Sequence, residues 1–429
     1  MAKIILAASL VIVMLGFGIA IPLMPYYILH FNASGFALGL MMSLYSFMQF
    51  LFAPLWGRLA DRIGRKPVLL IGIGGYFLAF IFQGISQNLL EFTVSRTLAG
   101  ILSSATLPAA MAYIADITPL EERSKGVGLM GAAMGLGMIF GPMLGGILTG
   151  LQISLPPSIS SVLQVTTDPS NGKLINLSIP FFASALLALT AVPFISFLLP
   201  ESLHLRNENL SKTAKSASRI SSLLSGLRGS SGFLFALAFL LAFALANMES
   251  VLALYGGKRF FMGPAEIGLL MGGLGLVSVI EQGVVIGPLS KRFGETRIIQ
   301  GGLLIGIAGF VGMALFQVKW GLVASALIFN MGNVLLAPSV TSLVSKQAQT
   351  GQGEAMGLNN SFQALGRAIG PLWAGFAFDM FTTLSFWTGA LIQAVAFFYT
   401  MKYFGGAFST QPLFTHQSFQ TGSEENHTR

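Results

Sequence analysis

The chain is predicted to be an all-α integral membrane protein, with twelve transmembrane helices in two six-helix halves. Three observations predict this. Hydrophobic residues make up 54% of the 429 residues and charged residues 9%, with a mean hydropathy of +0.75. That is more apolar material than a soluble core can use. The apolar residues gather in about twelve runs of roughly 20, the length a helix needs to cross a bilayer. The second half also echoes the first. Gly366-Arg-Ala-Ile-Gly-Pro-Leu-Trp-Ala-Gly375 repeats the pattern of Gly137-Met-Ile-Phe-Gly-Pro-Met-Leu-Gly-Gly146, at an offset of 229 residues that carries Gly141-Pro142 onto Gly370-Pro371. The alternation of a membrane barrel is absent, so helices are the remaining way to span.

The segments fall near 4–29, 36–56, 68–88, 92–114, 125–150, 179–199, 232–255, 265–288, 297–317, 320–343, 354–378 and 384–404. Residues 1–199 form the first half, 200–231 a linker, 232–404 the second half and 405–429 a polar, disordered tail. Segment 1 is too long for a signal peptide, carries Pro22 and Pro25, and is expected to be retained as a span. Its glycines and prolines mark either a simple kink or a moving, cavity-lining segment. Segment 2 carries Tyr45 and Gln49 on one face. Segment 4 carries Arg96, which either snorkels from near the outer end or serves a function at depth. In segment 5, Gly137, Gly141 and Gly145 form a smooth stripe beside Pro142, suited to close helix contact. Residues 151–178 are a long outer loop with no function legible in it. The linker is rich in Ser and basic residues. Ile220, Leu223, Leu224 and Leu227 have the spacing of a short helix lying on the inner surface.

Lys173, Lys258, Arg259 and Lys319 are the only basic residues assigned to the outer side, and Arg96 and Arg367 lie within segments. The rest of the 24 Lys and Arg fall on the side of the N-terminus. That bias places both termini in the cytoplasm of a bacterial inner membrane, and it accounts for the +8 net charge without nucleic acid. There is no Cys, hence no disulfide and no thiol metal site. No cofactor motif, nucleophile elbow or metal constellation points to an enzyme, so no cofactor or metal is expected.

The densest charge lies in Gly57-Arg-Leu-Ala-Asp-Arg-Ile-Gly-Arg-Lys-Pro67, between segments 2 and 3. A turn with Arg58, Asp61, Arg62, Arg65 and Lys66 is expected to lie in water beside the membrane. Gly57 and Gly64 permit a tight turn. Asp61 is expected to pair with an arginine or with the start of segment 11, and so to hold the two halves together. The alternative is a basic anchor that only fixes topology. Gly57, Asp61, Arg62, Gly64, Arg65 and Lys66 resemble the loop between helices 2 and 3 of the major facilitator superfamily. Gly287–Gly294 is a degenerate copy of it in the second half. The resemblance implies that superfamily's architecture of two parallel six-helix repeats.

Ionisable groups inside the segments are Arg96, Glu249, Glu281 and Arg367, formally neutral together. A carboxyl group removed from water loses its preference for the charged form, so it can exchange protons near neutral pH. Glu249 and Glu281 are therefore the candidate proton carriers. Each of the pair also has a structural alternative, and Arg367 reads best as a counter-charge. Here the resemblance narrows to the twelve-helix drug:proton antiporters, the quinolone-type and tetracycline-type efflux pumps. It rests on the helix 7 glutamate, on Gly357-Leu-Asn-Asn360 and on the Gly-Pro run ending at Asp379.

That resemblance implies proton-coupled export of small amphipathic compounds. Glu249 is then the proton-linked glutamate, Arg96 takes part in coupling, and the segment 5 stripe is the antiporter signature. The candidate cavity residues are Phe17, Tyr45, Gln49, Gln282, Asn333, Asn359 and Arg367. The expected partners are substrate, protons and lipid, with the protein acting as a monomer. The chain departs from that group in segment 10, where Asn330 and Asn333 stand in place of an acid, and in segment 1, which has none. A metabolite facilitator or proton symporter is the rival within the class, and a non-transporting sensor the rival outside it.

Overall fold

The computed structural model describes residues 2–119, 122–151, 163–203, 226, 231–347 and 352–407. Helix α1 runs Ala2–His30, bent by a tight turn at Ile21–Leu23 where Pro22 cannot donate a backbone hydrogen bond. Helices α2 (Gly35–Ile63), α3 (Arg65–Ile85) and α4 (Leu89–Ile117) follow, α2 capped by Ser34 and α4 by Asn88. Helix α5 is Arg123–Leu148 and α6 is Ser178–Leu198. The second half begins with α7, Gly232–Phe260. Next comes the stretch Pro264–Leu315, helical on both sides of Gly294. Gly294, at φ 75° and ψ 157°, bends it sharply. The part before Gly294 is α8 and the part after it α9. Then come α10 (Lys319–Lys346), α11 (Gln352–Met380) and α12 (Leu384–Ala407).

The protein is a multi-pass membrane protein of twelve helices. Phe197, Leu391 and Phe398 point outward, 86%, 63% and 68% exposed, an arrangement that lipid stabilises and water would not. Two elements went unforeseen. The outer loop contains an antiparallel hairpin, β1 (Val165–Thr167) with β2 (Leu174–Asn176). Helix α8 contains a π-turn, Glu281–Val285. The amphipathic stretch around Leu223 and the tail beyond 407 lie outside the described residues.

The sequence repeat is a packing repeat. In the first half the glycine stripe of α5 meets α1: a Cβ at Gly141 would lie 2.6 Å from the Gly18 Cα. In the second half Gly366 and Gly370 of α11 meet α7 at Phe239, Phe243 and Asn247. These are the same pairings, displaced by one half-chain. Small residues let the backbones touch, and dispersion does the rest.

The two halves meet along two seams, α2 with α11 and α5 with α8. At the end that bears the hairpin the contact is backbone to backbone. A Cβ at Gly39 would overlap the Pro371 carbonyl, and one at Gly375 would overlap that of Gly35. Along α5 the seam opens progressively. A Cβ at Gly146 would lie 2.5 Å from the Pro264 carbonyl oxygen, and one at Gly135 lies 3.9 Å from Val279. Gly131 and Gly128 meet nothing within 4 Å. The halves are thus clasped at the hairpin end and splayed at the end of the basic 2–3 loop.

Asp379 fastens the clasp. Its carboxylate, at the end of α11, accepts the Gly35 and Phe36 backbone N–H groups at the start of α2, both at 2.7 Å. An anion at a helix N-terminus satisfies free donors and meets the positive end of the dipole. Asp379→Ala should cost the clasp about 0.5–2 kcal/mol, the usual cost of losing a helix cap. That is about 2–30-fold in the equilibrium between clasped and parted ends. The chain has no native Cys. Spin labels on cysteines at Asn32 and Thr382 would report the separation, which should lengthen in the variant. An unchanged distance distribution would show that Asp379 does not hold this end.

Candidate functional site

Between the halves lies a cavity of about 680 Å³. Its first-half wall mixes apolar, aromatic and polar groups, with Phe17 and Met24 from α1, Met42, Tyr45 and Gln49 from α2, Tyr76 from α3, Arg96, Ser103 and Thr106 from α4 and Met138 from α5. Its second-half wall is polar: Glu249 and Ser250 from α7, and Asn360, Ser361 and Arg367 from α11.

Arg96 does not snorkel. Helix α4 starts at Leu89, so Arg96 lies about two turns in, roughly 10 Å along the axis. It is only 3% exposed, and its guanidinium carbon sits 4.3 Å from the centre of the Tyr45 ring. That ring is held in turn. Phe17 stacks on it at 5.6 Å between centroids. Its hydroxyl accepts from Gln49 Nε2 at 2.9 Å and lies 3.3 Å from Ser103 Oγ and 3.4 Å from the Tyr76 hydroxyl. A face-on aromatic ring attracts a cation through its quadrupole, and a desolvated site strengthens this.

Glu249 and Arg367 share the opposite wall. Both residues are exposed and line the cavity, Glu249 in a helix otherwise largely buried. Glu249 also lines a second space of about 770 Å³ inside the second half, with Ser278, Gln282, Asn330, Asn333, Thr341 and Gln363. It therefore stands where the two spaces meet. Asn330 is anchored there, donating to the Leu274 carbonyl and to Ser278 Oγ, each at 2.9 Å.

The structure separates the other predicted site residues. Phe17, Tyr45, Gln49 and Arg367 line the central cavity, whereas Gln282 and Asn333 line the second space. Asn359 lines neither, which corrects its assignment to the cavity. It is fully buried and points to Thr341 Oγ1, and its neighbour Asn360 faces the cavity instead. Glu281 is buried at the first residue of the π-turn, with Oε2 unpartnered, and lines neither space. Gly137, Gly141 and Gly145 are turned against α1, and Pro142 packs beside Gly18 and Gly268.

The 2–3 loop corrects a second expectation. Arg58 and Arg62 lie in water, but Arg65 is 2% exposed. Its guanidinium binds Asp116 at 2.7 Å, Asp61 at 3.0 Å and the Ala60 carbonyl at 2.8 Å. A buried guanidinium is stable only when its donors are met in this way. Asp61 is thus engaged within its own loop, and the side chains at the start of α11 lie outside the described residues. Gly64, at φ 110°, makes the turn in a region that other residues avoid. Lys66 Nζ donates to the Ser196 carbonyl at 2.7 Å.

The sequence reading missed Asp116, Glu201, Asp379 and Tyr76. The signal for Asp116 and Glu201 was their place as isolated acids at the ends of apolar runs, opposite an excess of cations.

Residues 6–371 match the family described as Major Facilitator Superfamily. Multidrug resistance protein 2 of Bacillus subtilis (strain 168) is 30% identical, covering 93% of this chain and 94% of its own length. Tetracycline resistance protein, class E, of Escherichia coli is also 30% identical, covering 89% of each chain. Among solved structures, a bacterial homolog of the human lysosomal transporter Spinster, inward-facing and occupied, superposes with a TM-score of 0.73. It is 14% identical and covers 95% of this chain and 97% of its own, which shows the shared fold.

Glu201 yields a test of the loop. Burial pushes its carboxyl up, and backbone N–H groups of Arg65, Leu203, Ser202 and Lys66 more than offset this, holding it below the ordinary carboxylate range. A depressed acid contributes stability above its unfolded value and loses it as pH falls through the folded one. Hydrogen-exchange protection of the Arg65 and Lys66 amides should therefore hold at neutral pH and fall several-fold in acid below that range. Glu201→Gln should show the reduced protection already at neutral pH. Equal protection in the two proteins there would mean that Glu201 does not anchor the turn.

Proposed function

The chain belongs to the Major Facilitator Superfamily, whose members are transporters rather than enzymes, and on that premise we propose that it exports small amphipathic organic compounds in exchange for protons. The observation that carries this is the cavity between two halves clasped at one end only. The basic end is the cytoplasmic one by the charge bias, so the cavity faces the cytoplasm of the cell membrane and is ready to load. Export follows when the basic ends close and the clasp parts. The names of the relatives, multidrug and tetracycline resistance proteins, support a drug-like substrate range. So does a wall of Met and aromatic side chains, which adapts to varied apolar shapes.

Glu249 is the proton site in this proposal. It is the carboxylate that the cavity exposes, and it reaches both spaces. Ionised, it offsets Arg367. Protonated, it leaves that cation unbalanced and changes what the wall attracts. Glu281, sealed in the π-turn, is the weaker candidate.

Cells that make the protein should retain several-fold less of an exported dye than control cells, and collapse of the proton gradient should restore retention. Accumulation that rises with expression and follows an inward proton gradient would instead mean uptake. In proteoliposomes, substrate should drive proton movement through the native protein. In Glu249→Gln that movement should fall to the level of empty liposomes, while Glu281→Gln keeps most of it. Undiminished proton movement in Glu249→Gln would move the assignment to Glu281.

A further inference from the structure

The charged side chains that line the central cavity, among the described residues, are Arg96, Glu249 and Arg367. Glu249 and Arg367, of opposite charge, share the second-half wall. Arg96 stands alone on the first. No carboxylate lies within ion-pair distance of it among the described residues. Beside it lies the Tyr45 ring, whose hydroxyl meets those of Tyr76 and Ser103 and the amide of Gln49, all neutral. Its Nε has no hydrogen-bond partner although the residue is 97% buried.

We propose that Arg96 is the seat of the substrate's own negative charge, so that the cavity takes amphipathic organic anions such as aryl carboxylates. A buried guanidinium without a counter-ion is costly at membrane depth, and the Tyr45 ring recovers only part of that cost. Arg65 in the same protein shows the usual solution, two carboxylates and a carbonyl. At Arg96 no carboxylate of the described residues plays that part, and the residue lines the cavity. A guanidinium presents its donors as a planar fork that matches a carboxylate. The cavity is also lined by Phe17, Tyr45, Met24, Met42 and Met138, which suits a flat apolar body better than a fully hydrated inorganic anion.

This inference rests on the cavity being the transport site, and it adds a constraint on coupling. Protonation of Glu249 makes the cavity more positive, so a proton does not expel an anion by direct repulsion. Exchange then runs through the balance between the two arrangements of the halves, which each ligand biases. A cationic substrate would behave oppositely and would depend on the Glu249 charge.

Equilibrium binding of radiolabelled 2-naphthoate and of 2-naphthyltrimethylammonium to the purified full chain in nanodiscs, without a gradient, tests the proposal. The native protein should prefer naphthoate, and equimolar inorganic phosphate should not displace it. Arg96→Gln should lower naphthoate affinity about tenfold or more and leave the cation unaffected or bound more tightly. Glu249→Gln should keep or tighten naphthoate. If Arg96→Gln does not fold, Arg96→Lys keeps the charge without the fork. It should weaken naphthoate several-fold and still prefer it to the cation. Preference for the cation in the native protein, displacement by phosphate, or an unchanged anion preference in Arg96→Gln would each overturn the proposal. Dye export with a cation-preferring cavity would overturn this inference alone. Anion binding that needs Arg96, in a protein that exports nothing, would overturn the export reading and leave the site standing.

Discussion

The structure depends on how closely two backbones can approach. At Gly39 and Gly375 the chains of α2 and α11 are so near that no side chain fits between them. The same holds along α5 and α8 at Gly146 and Gly268. Contact of this kind has no flexible layer to absorb a shift, so it exists as made or broken. It also lies at one end of the molecule. Rigid six-helix halves joined at one end must diverge at the other, and the cavity is the volume that this divergence leaves. It opens where the close contacts of the α5 glycines with α8 stop, near Gly135.

Much of this was legible because glycine and proline have few alternative uses inside a membrane helix. The 229-residue echo of Gly141-Pro142 in Gly370-Pro371 foretold two halves built alike, and the structure shows each copy pressed against the first helix of its own half. Depth was legible too: Glu249 and Arg367 were read as buried charges and share one wall. Pairings distant in sequence were not legible. Asp379 reaches Gly35 across 344 positions, and nothing local marks a carboxylate as the cap of a helix in the other half. Asn359 and Asn360 could not be told apart, since one residue of rotation, about 100° on a helix, separates cavity from core. The turn at Gly294 was expected as a loop, and a single non-helical glycine makes it, with helix on both sides.

The two buried arginines of the first half show how context decides the meaning of one residue type. Arg65 sits in a motif that reads as solvated, and the fold can bury it because Asp61, Asp116 and a carbonyl give each of its three guanidinium nitrogens a partner. Its burial fixes the loop to α4, as Glu201 fixes it to the end of α6. Arg96 sits among apolar neighbours that read as structural, and the fold gives it an aromatic face and no acid. The first arrangement is closed chemistry and the second is open. A protein tolerates an open one where something outside the chain completes it.

The outer hairpin fits the same logic of halves. Asp379 comes from the second half and caps α2, the second helix of the first. Asp168 comes from the hairpin in the first half. Its carboxylate packs over Gly263, the residue that begins α8, so that a Cβ there would overlap it. Helix α8 is the second helix of the second half. Each half thus sets a carboxylate at the start of the equivalent helix of its partner. The first half has no acid at the end of α5 to match Asp379, and the loop that follows α5 provides one from a distance. His30 and Gln164, 2.9 Å apart, and Tyr26, donating to the Met262 carbonyl at 2.7 Å, hold the hairpin and the turn before α8 against α1. The end of α5 already lies on the seam with α8 at Gly146, and the hairpin returns beside it, Asn176 N–H donating to the Thr149 carbonyl at 2.9 Å, before α6 starts.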